Sequence, residues 1–187
     1  MSDLRIAIIL GSTRPGRVGA AVAEWVLEKS AHRPAKYEII DLAEHPLPHF
    51  DEAMPPVFGQ YANAHTLDWA ATIARYDGFI FVTPEYNHST SGVLKNAIDY
   101  LHAEWNNKAA AFIGYGSIGA ARAIEHLRGI ASGLQMAHVA QQVSFSLFTD
   151  FEGMRTLHPG PQHAPAAETL FTQLEAWAAA LKPLRDQ

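Results

Sequence analysis

The sequence predicts an α/β chain in which a parallel β-sheet is covered by helices on both faces. Two observations carry this. Short apolar runs of strand length alternate along the chain with segments whose apolar residues recur at the helical period. The runs also lack the strict polar–apolar alternation of a strand with one wet face, as strands buried on both faces do. In such a sheet, ligands bind outside the carboxyl ends of the strands. The loops after the first, third and fourth apolar runs are therefore where function is to be sought.

Ile6 to Leu10 is free of polar residues and rich in isoleucine, which marks the first strand. Val18, Ala21, Val22, Trp25 and Val26 then follow the helical period. Tyr37 to Ile40 is the second strand, and Tyr61 to Tyr76 a helix with Leu67 and Ile73 facing inward. Phe79 to Val82 is the third strand, followed by a helix marked by Val93, Leu94, Ala97, Ile98 and Leu101. Ala109 to Ile113 is the fourth strand, with a helix through Ala120, Ala123, Ile124 and Leu127 after it. Met136 to Ala140 is a shorter fifth strand. Ala167, Leu170, Phe171, Leu174, Trp177, Ala178 and Leu181 form the clearest amphipathic helix and close the chain. Two proline-rich stretches, Glu44 to Gly59 and Thr156 to Ala166, interrupt the rhythm. Neither separates two self-sufficient sets of elements, so both are expected as surface loops and residues 1–187 as one domain.

With 48% apolar and 18% charged residues the composition is that of a globular chain. A formal net charge of −5 argues against a broad nucleic-acid-binding surface, which needs clustered Lys and Arg. The absence of cysteine excludes disulfides, thiolate metal ligands and a cysteine nucleophile, and fits a reducing compartment. Met1-Ser2-Asp3-Leu4-Arg5 leads into only five apolar residues, too few for a signal peptide or a membrane span. A soluble, cytoplasmic protein that does not engage a membrane is expected. His45 and His49 are separated by Pro46 and Pro48, which forbid the helix that would align them on a metal, and His158 and His163 lie in a similar loop. No metal site is expected.

The first loop reads GSTRPGRVG, Gly11 to Gly19. Gly11 permits a sharp turn, Ser12 and Thr13 offer hydroxyls, Arg14 and Arg17 offer guanidinium forks, and the helix beginning near Val18 points its free N–H groups at the same place. That combination is an anion site suited to a phosphate; the alternative is a solvated turn with two surface arginines. The spacing of Gly11 and Gly16 approaches that of a nucleotide P-loop, but Arg17 and Val18 stand where Lys and Ser/Thr are required. An NTPase is not expected on that ground. The third loop, GYGSIG from Gly114 to Gly119, is a literal G-x-G-x-x-G. The acidic partner of a dinucleotide fingerprint is missing from Leu134 to Ala140, so the motif is better taken as a glycine-rich turn whose backbone approaches something closely. Ser117 is not a nucleophile elbow, because Tyr115 occupies a position that motif reserves for glycine.

Between them lies Pro84-Glu85-Tyr86-Asn87-His88-Ser89. Pro84 fixes one backbone angle, so the N–H groups of Glu85, Tyr86 and Asn87 can be held in one arrangement. Tyr86 adds an aromatic surface, and Asn87 a donor and an acceptor. On its own this is an ordinary turn. With Tyr115, Gly116 and Ser117 opposite, and a phosphate site in the first loop, it becomes a polar-edged slot for a planar ring with a phosphate tail, which describes FMN.

GSTRPGR, PEYNHSTSGVLKNAIDYL and GYGSIGAARAIEHLR, with LPHFDE at Leu47 to Glu52, resemble the flavin loops and a recurrent segment of the flavodoxin-like NAD(P)H-dependent FMN reductase and quinone reductase family. The resemblance runs from about residue 4 to 182. It implies a doubly wound sheet of five parallel strands in the order 2-1-3-4-5. It places the FMN phosphate at Ser12, Thr13, Arg14, Arg17, Val18 and Gly19, and the isoalloxazine against Pro84, Glu85, Tyr86 and Asn87, with Tyr115, Gly116 and Ser117 at its far edge. His88 and Ser91 depart from the aromatic and the proline that many relatives carry. The implied chemistry is hydride transfer from NADPH or NADH to the flavin, then two electrons to a quinone, azo or nitro compound, metal oxyanion or free flavin, in ping-pong order and without a catalytic side chain. A homodimer or homotetramer involving the helix from Val93 to His102 is also implied. The alternatives are a noncatalytic FMN-binding electron carrier or redox-responsive module and, less in keeping with the missing acid, a dinucleotide dehydrogenase using GYGSIG.

Overall fold

A computed structural model describes residues 4–185; Met1 to Asp3, on which part of the N-terminal expectation rests, lie outside them. Five strands, β1 (Arg5–Leu10), β2 (Lys36–Asp41), β3 (Gly78–Pro84), β4 (Ala109–Gly116) and β5 (Ala137–Ser146), pair in parallel in the order β2-β1-β3-β4-β5. The helices are α1 (Gly19–Ser30), α2 (Ala64–Ala74), α3 (Gly92–Asp99), α4 (Ala121–Gly133) and α5 (His163–Leu181). Successive side chains of a strand point to opposite faces, and β1 shows the result. Ile6, Ile8 and Leu10 join Val22, Val26, Leu170, Phe171 and Leu174 beneath α1 and α5. Ala7 and Ile9 join Trp69, Ile73, Phe81, Leu94 and Ile98 beneath α2, α3 and α4. Both faces are dry, which is why the strand is apolar at every position from Ile6 onward. The chain direction across the sheet reverses between β1 and β3, and that switch point is the crevice where such sheets bind ligands.

Four expectations need correction. Helix α2 starts at Ala64, and Leu67 is 51% exposed; Thr66, Trp69 and Ile73 face inward instead. Leu67 is two residues from Trp69 and so lies on the opposite side of the helix. The Trp69 indole N–H donates to the Ala97 carbonyl at 2.8 Å, locking α2 onto α3. In α5, which starts four residues earlier than expected, Trp177 is half exposed while Glu175 is buried. Glu175 can be buried because Arg33 and the Tyr37 hydroxyl bind its carboxylate at 2.8 and 2.7 Å.

Strand β5 runs on to Ser146, well past Ala140. Its second half contains Gln141, Gln142, Ser144 and Ser146, polar residues that an edge strand tolerates and an apolar-run criterion misses. The register slips between Ala110–His138 and Phe112–Gln142, and Arg128 donates to the freed Val139 and Ala140 carbonyls at 2.7 and 3.1 Å. Lastly, Thr156 and Leu157 are not loop. They form β7 (Thr156–Leu157), paired antiparallel with β6 (Phe151–Glu152) in a small hairpin turning at Gly153 and Met154, both in the left-handed region. The Asp150 carboxylate accepts from the Ser146 N–H at 2.8 Å, and its carbonyl from the His158 N–H at 2.8 Å, fastening the hairpin to the end of β5.

The long loop before α2 is tied down rather than free. The Asn96 amide donates to the Pro48 carbonyl at 2.7 Å and accepts from the Phe50 N–H at 3.0 Å. Glu52 accepts from the N–H groups of Ala62 and Asn63, each at 3.0 Å, just before α2 begins. Among the described residues no helix is long and apolar enough to cross a membrane.

Candidate functional site

The three loops singled out in the sequence meet at the switch point. Gly11 N–H donates to the Val82 carbonyl at 2.9 Å, and Pro84 pairs in register with Tyr115, so each loop abuts the next. Ser91 joins two of them. Its hydroxyl caps α3 by accepting from the Leu94 N–H at 3.2 Å and donates to the Gly11 carbonyl. This departure from proline is thus a buried structural knot beneath the loops.

Above them lies a cleft of about 680 Å³, within the range of small-molecule sites. Arg14, Arg17, Val18, Pro84, Glu85, Tyr86, Tyr115 and Gly116 line it, all anticipated from the sequence. Ser12 is buried behind the wall, its hydroxyl 2.9 Å from that of Tyr86 and 3.3 Å from the Arg14 N–H. Gly19 is buried under Tyr115. Thr13, Asn87 and Ser117 are exposed and do not line the cleft. Leu147, Met154 and Arg155 complete it from the β5 end and the β6–β7 hairpin, and sequence reasoning missed them. A signal was present: FEGMRTL sets a glycine between two short β-prone pairs, a hairpin pattern.

Several side chains have partners that narrow their roles. Arg17 donates to the Ser12 carbonyl and pairs with Asp41 at the end of β2, so its charge is already matched. Arg14 makes no side-chain hydrogen bond or ion pair among the described residues. The Tyr86 N–H donates to the Ser89 carbonyl at 2.9 Å, and the Ser89 N–H returns to Tyr86 at 3.2 Å. Asn87 and His88 between them both have positive φ, 49° and 75°, the signature of a type I′ turn. The Tyr86 N–H expected for a ligand is therefore spent on this turn. The Glu85 carboxylate reaches away to α4, accepting from the Arg122 N–H at 3.2 Å and its Nε at 2.6 Å. Burial pushes the Glu85 carboxyl up, but the hydrogen bonds and charge of Arg122 outweigh it and hold it below the usual range. Glu85 thus serves α4 as a long-range N-terminal cap. In GYGSIG the close approach is internal, since a Cβ on Gly114 would lie 2.2 Å from the Gly119 carbonyl oxygen.

Tyr115 tests whether the site suits a phosphate. Its side chain is buried, and its hydroxyl faces that of Ser12 without a hydrogen bond of good geometry. Burial first, and then neighbouring Tyr86, push the phenol well above its ordinary pKa. The hydroxyl lies over Gly19, where α1 opens without a side-chain cap or an acidic residue in its first turn. Unsatisfied helix N–H groups, the under-satisfied Tyr115 hydroxyl and the unpaired Arg14 guanidinium all belong to residues that line this one cleft. Each is a donor, and an anion with several acceptor oxygens satisfies them together. The residues fit a phosphate.

A doubly wound 2-1-3-4-5 sheet with a phosphate-suited slot at its switch point defines a flavodoxin-like protein. Residues 4–150 match the family model described as NADPH-dependent FMN reductase, and the chain belongs to that family. It is 44% identical over 126 residues to an NAD(P)H-dependent FMN reductase of a Nectria species, covering 64% of this chain and 63% of that one. It is 34% identical over 145 residues to a 2-hydroxy-1,4-benzoquinone reductase of a Burkholderia species, covering 74% of this chain and 75% of that one. In fold it resembles FerB, a flavoenzyme NAD(P)H:(acceptor) oxidoreductase of Paracoccus denitrificans, with a TM-score of 0.69 at 22% identity over 96% of this chain and 98% of the other.

Proposed function

We propose that this chain is an FMN-dependent oxidoreductase that takes hydride from NADPH or NADH and passes two electrons to a small-molecule acceptor. The observation that carries this is a single cleft lined by the unpaired Arg14, the uncapped start of α1 and the Tyr115 side chain, together with Tyr86 and Gly116. Bound FMN would supply the hydride and electron transfer; the chain binds it and orients it.

Arg14, the first N–H groups of α1 and the Tyr115 hydroxyl hold the phosphate. Arg17 acts behind them, fixing the Ser12 carbonyl and hence the shape of the loop. The Tyr86 hydroxyl, bonded to Ser12, links the phosphate end to the ring end. Pro84 and Gly116 would line the place of the ring, and Glu85 ties the loop beside Pro84 to α4. In this reading no cleft side chain acts as acid or base, and reductant and acceptor would use the one cleft in turn, by a ping-pong scheme. A quinone is the favoured acceptor, supported by the name of the Burkholderia relative; azo and nitro compounds, metal oxyanions and free flavin share the same requirement for a flat or small electron acceptor.

The protein acts as a homodimer or homotetramer in the cytoplasm, without nucleic acid or membrane. Small residues along α3 and α4, Gly92, Gly129 and Gly133, share two shallow hollows with Ile130, and Val57, in one of them, is 59% exposed. A second copy packing there covers apolar surface that one chain leaves wet. The test is anaerobic addition of NADPH or NADH to FMN-loaded protein, followed by absorbance. Rapid bleaching with reoxidation by a quinone is expected; FMN bound without bleaching by either nucleotide would defeat the assignment.

A further inference from the structure

The chain has nine arginines, all among the described residues. The guanidinium groups of Arg5, Arg17, Arg33, Arg75, Arg122, Arg128 and Arg185 each bond to a partner in the protein. Arg14 and Arg155 do not, and both line the same cleft. Arg155 comes from the β6–β7 hairpin, beyond residue 150, where the match to the family model ends. Its backbone N–H donates to the Glu152 carbonyl at 3.0 Å, which sets the turn and leaves the side chain uncommitted. Glu24 lines the cleft as well but lies within ion-pair distance of neither arginine.

An unmatched cation on the wall of a cleft is a candidate ligand contact, and the local charges say for what. Arg17 is neutralised by Asp41. Arg14 and the start of α1 together offer about one and a half positive charges, whereas a phosphate monoester carries close to two negative ones at neutral pH. We infer that Arg155 is a second phosphate clamp, reaching from the hairpin to the same phosphate monoester that Arg14 and α1 hold. Ala20 and Ala21 of α1 line the same cleft with small side chains, and α1 packs against β7, the strand that follows Arg155. The resident ligand with this chemistry is the FMN phosphate, so the inference rests on the flavin reading above. The 2′-phosphate of NADPH is chemically the same group, and the two sources separate by experiment.

The test measures binding of FMN and of riboflavin, which lacks the phosphate, to the apoprotein of wild type, Arg155→Ala and Arg155→Lys. Arg155→Ala is expected to weaken FMN by about 10-fold and leave riboflavin unchanged, with Arg155→Lys recovering part of the loss. Because both arginines would grip one phosphate, the Arg14→Ala/Arg155→Ala pair should depart from additivity. Arg155→Ala with an unaltered FMN-to-riboflavin ratio overturns the clamp, including the case in which only the preference for NADPH over NADH falls. A wild type that binds FMN no more tightly than riboflavin would instead overturn the phosphate site itself, and so the reading beneath.

Discussion

The phenol of Tyr115 lies directly on the backbone of Gly19: a methyl group at residue 19 would sit 2.4 Å from the Tyr115 hydroxyl oxygen and 2.8 Å from the ring carbon that bears it. That hydroxyl faces the Ser12 hydroxyl but forms no hydrogen bond of good geometry. Its burial has a cost of about 1–3 kcal/mol unless a ligand supplies the partner. Tyr115→Phe is therefore expected to stabilise the flavin-free protein by about 1 kcal/mol while weakening FMN several-fold. Chemical denaturation of the apoprotein, with parallel flavin titration, measures both. A destabilised apoprotein would show that the hydroxyl has a partner within the fold.

Gly19→Ala drives a Cβ into that ring. The ring cannot retreat easily, because Tyr115 is buried beside β3 and α1. Overpacking of this kind typically destabilises by about 1–3 kcal/mol. The shift also falls on the first turn of α1, so loss of FMN affinity should accompany the loss of stability. Wild-type affinity and melting temperature together in Gly19→Ala would contradict the close approach.

The opposite end of the sheet holds a different titration. Lys108 is buried, donates to the Ile73 and Ala74 carbonyls at 2.9 and 3.3 Å, and closes the C-terminus of α2. Burial, with a lesser contribution from Arg185, pushes its ammonium down from 10.5 to about 8. The unfolded chain then binds the proton more tightly than the folded one between those values, so stability rises with pH across that window and the full penalty applies below it. Relative to Lys108→Met, the wild type should gain up to about 3 kcal/mol between pH 8 and 10.5. Tyrosines that titrate in the same range are common to both proteins and cancel in the comparison. Parallel stability–pH curves would rule out the shift.

The parallel sheet was legible because β1, β3 and β4 are buried on both faces and so are apolar at nearly every position, whereas its order followed from the resemblance of the three loops. What escaped was wet or short. Strand β5 hides its second half among Gln141, Gln142, Ser144 and Ser146, and the β6–β7 hairpin offers only two residues per strand. The walls of the cleft made by the first, second and third loops were readable from turn chemistry and helix-end physics. The hairpin was signalled by FEGMRTL, but its place in the cleft was not, because Arg155 lies far from those loops in sequence and shares their cleft only in the folded chain. Side-chain duties were hidden for a different reason. That Arg17 answers Asp41 and Glu85 answers Arg122 are tertiary pairings, and no local pattern announces them.

The proposed contact between copies gives a prediction that separates assembly from folding. A Cβ added at Gly129 meets nothing within 4 Å, so the single chain accommodates a large side chain there. Gly129→Arg should leave thermal stability near that of the wild type, and shift sedimentation toward the monomer. An unchanged oligomer would move the interface away from α4, and a wild-type monomer at micromolar concentration would remove it.

Arg14 provides the sharpest test of the phosphate site. It lines the cleft beside the start of α1 and has no partner of its own, whereas Arg17 is held by Ser12 and Asp41. A charge-assisted hydrogen bond from Arg14 to a phosphate is worth about 1.5–3 kcal/mol. Arg14→Ala should then weaken FMN by about 10- to 100-fold. Riboflavin carries the same ring without the phosphate, so its weaker binding should hardly change. If Arg14 were simply a solvated surface charge, neither flavin would lose affinity, and a general disturbance of the loop would weaken both alike. Arg17→Ala serves as the contrast: it removes the support of the Ser12 carbonyl and unpairs Asp41, so it should weaken both flavins through the shape of the loop. Only direct contact with the phosphate narrows the gap between FMN and riboflavin in Arg14→Ala, and an unaltered affinity ratio in that variant would remove Arg14 from the site.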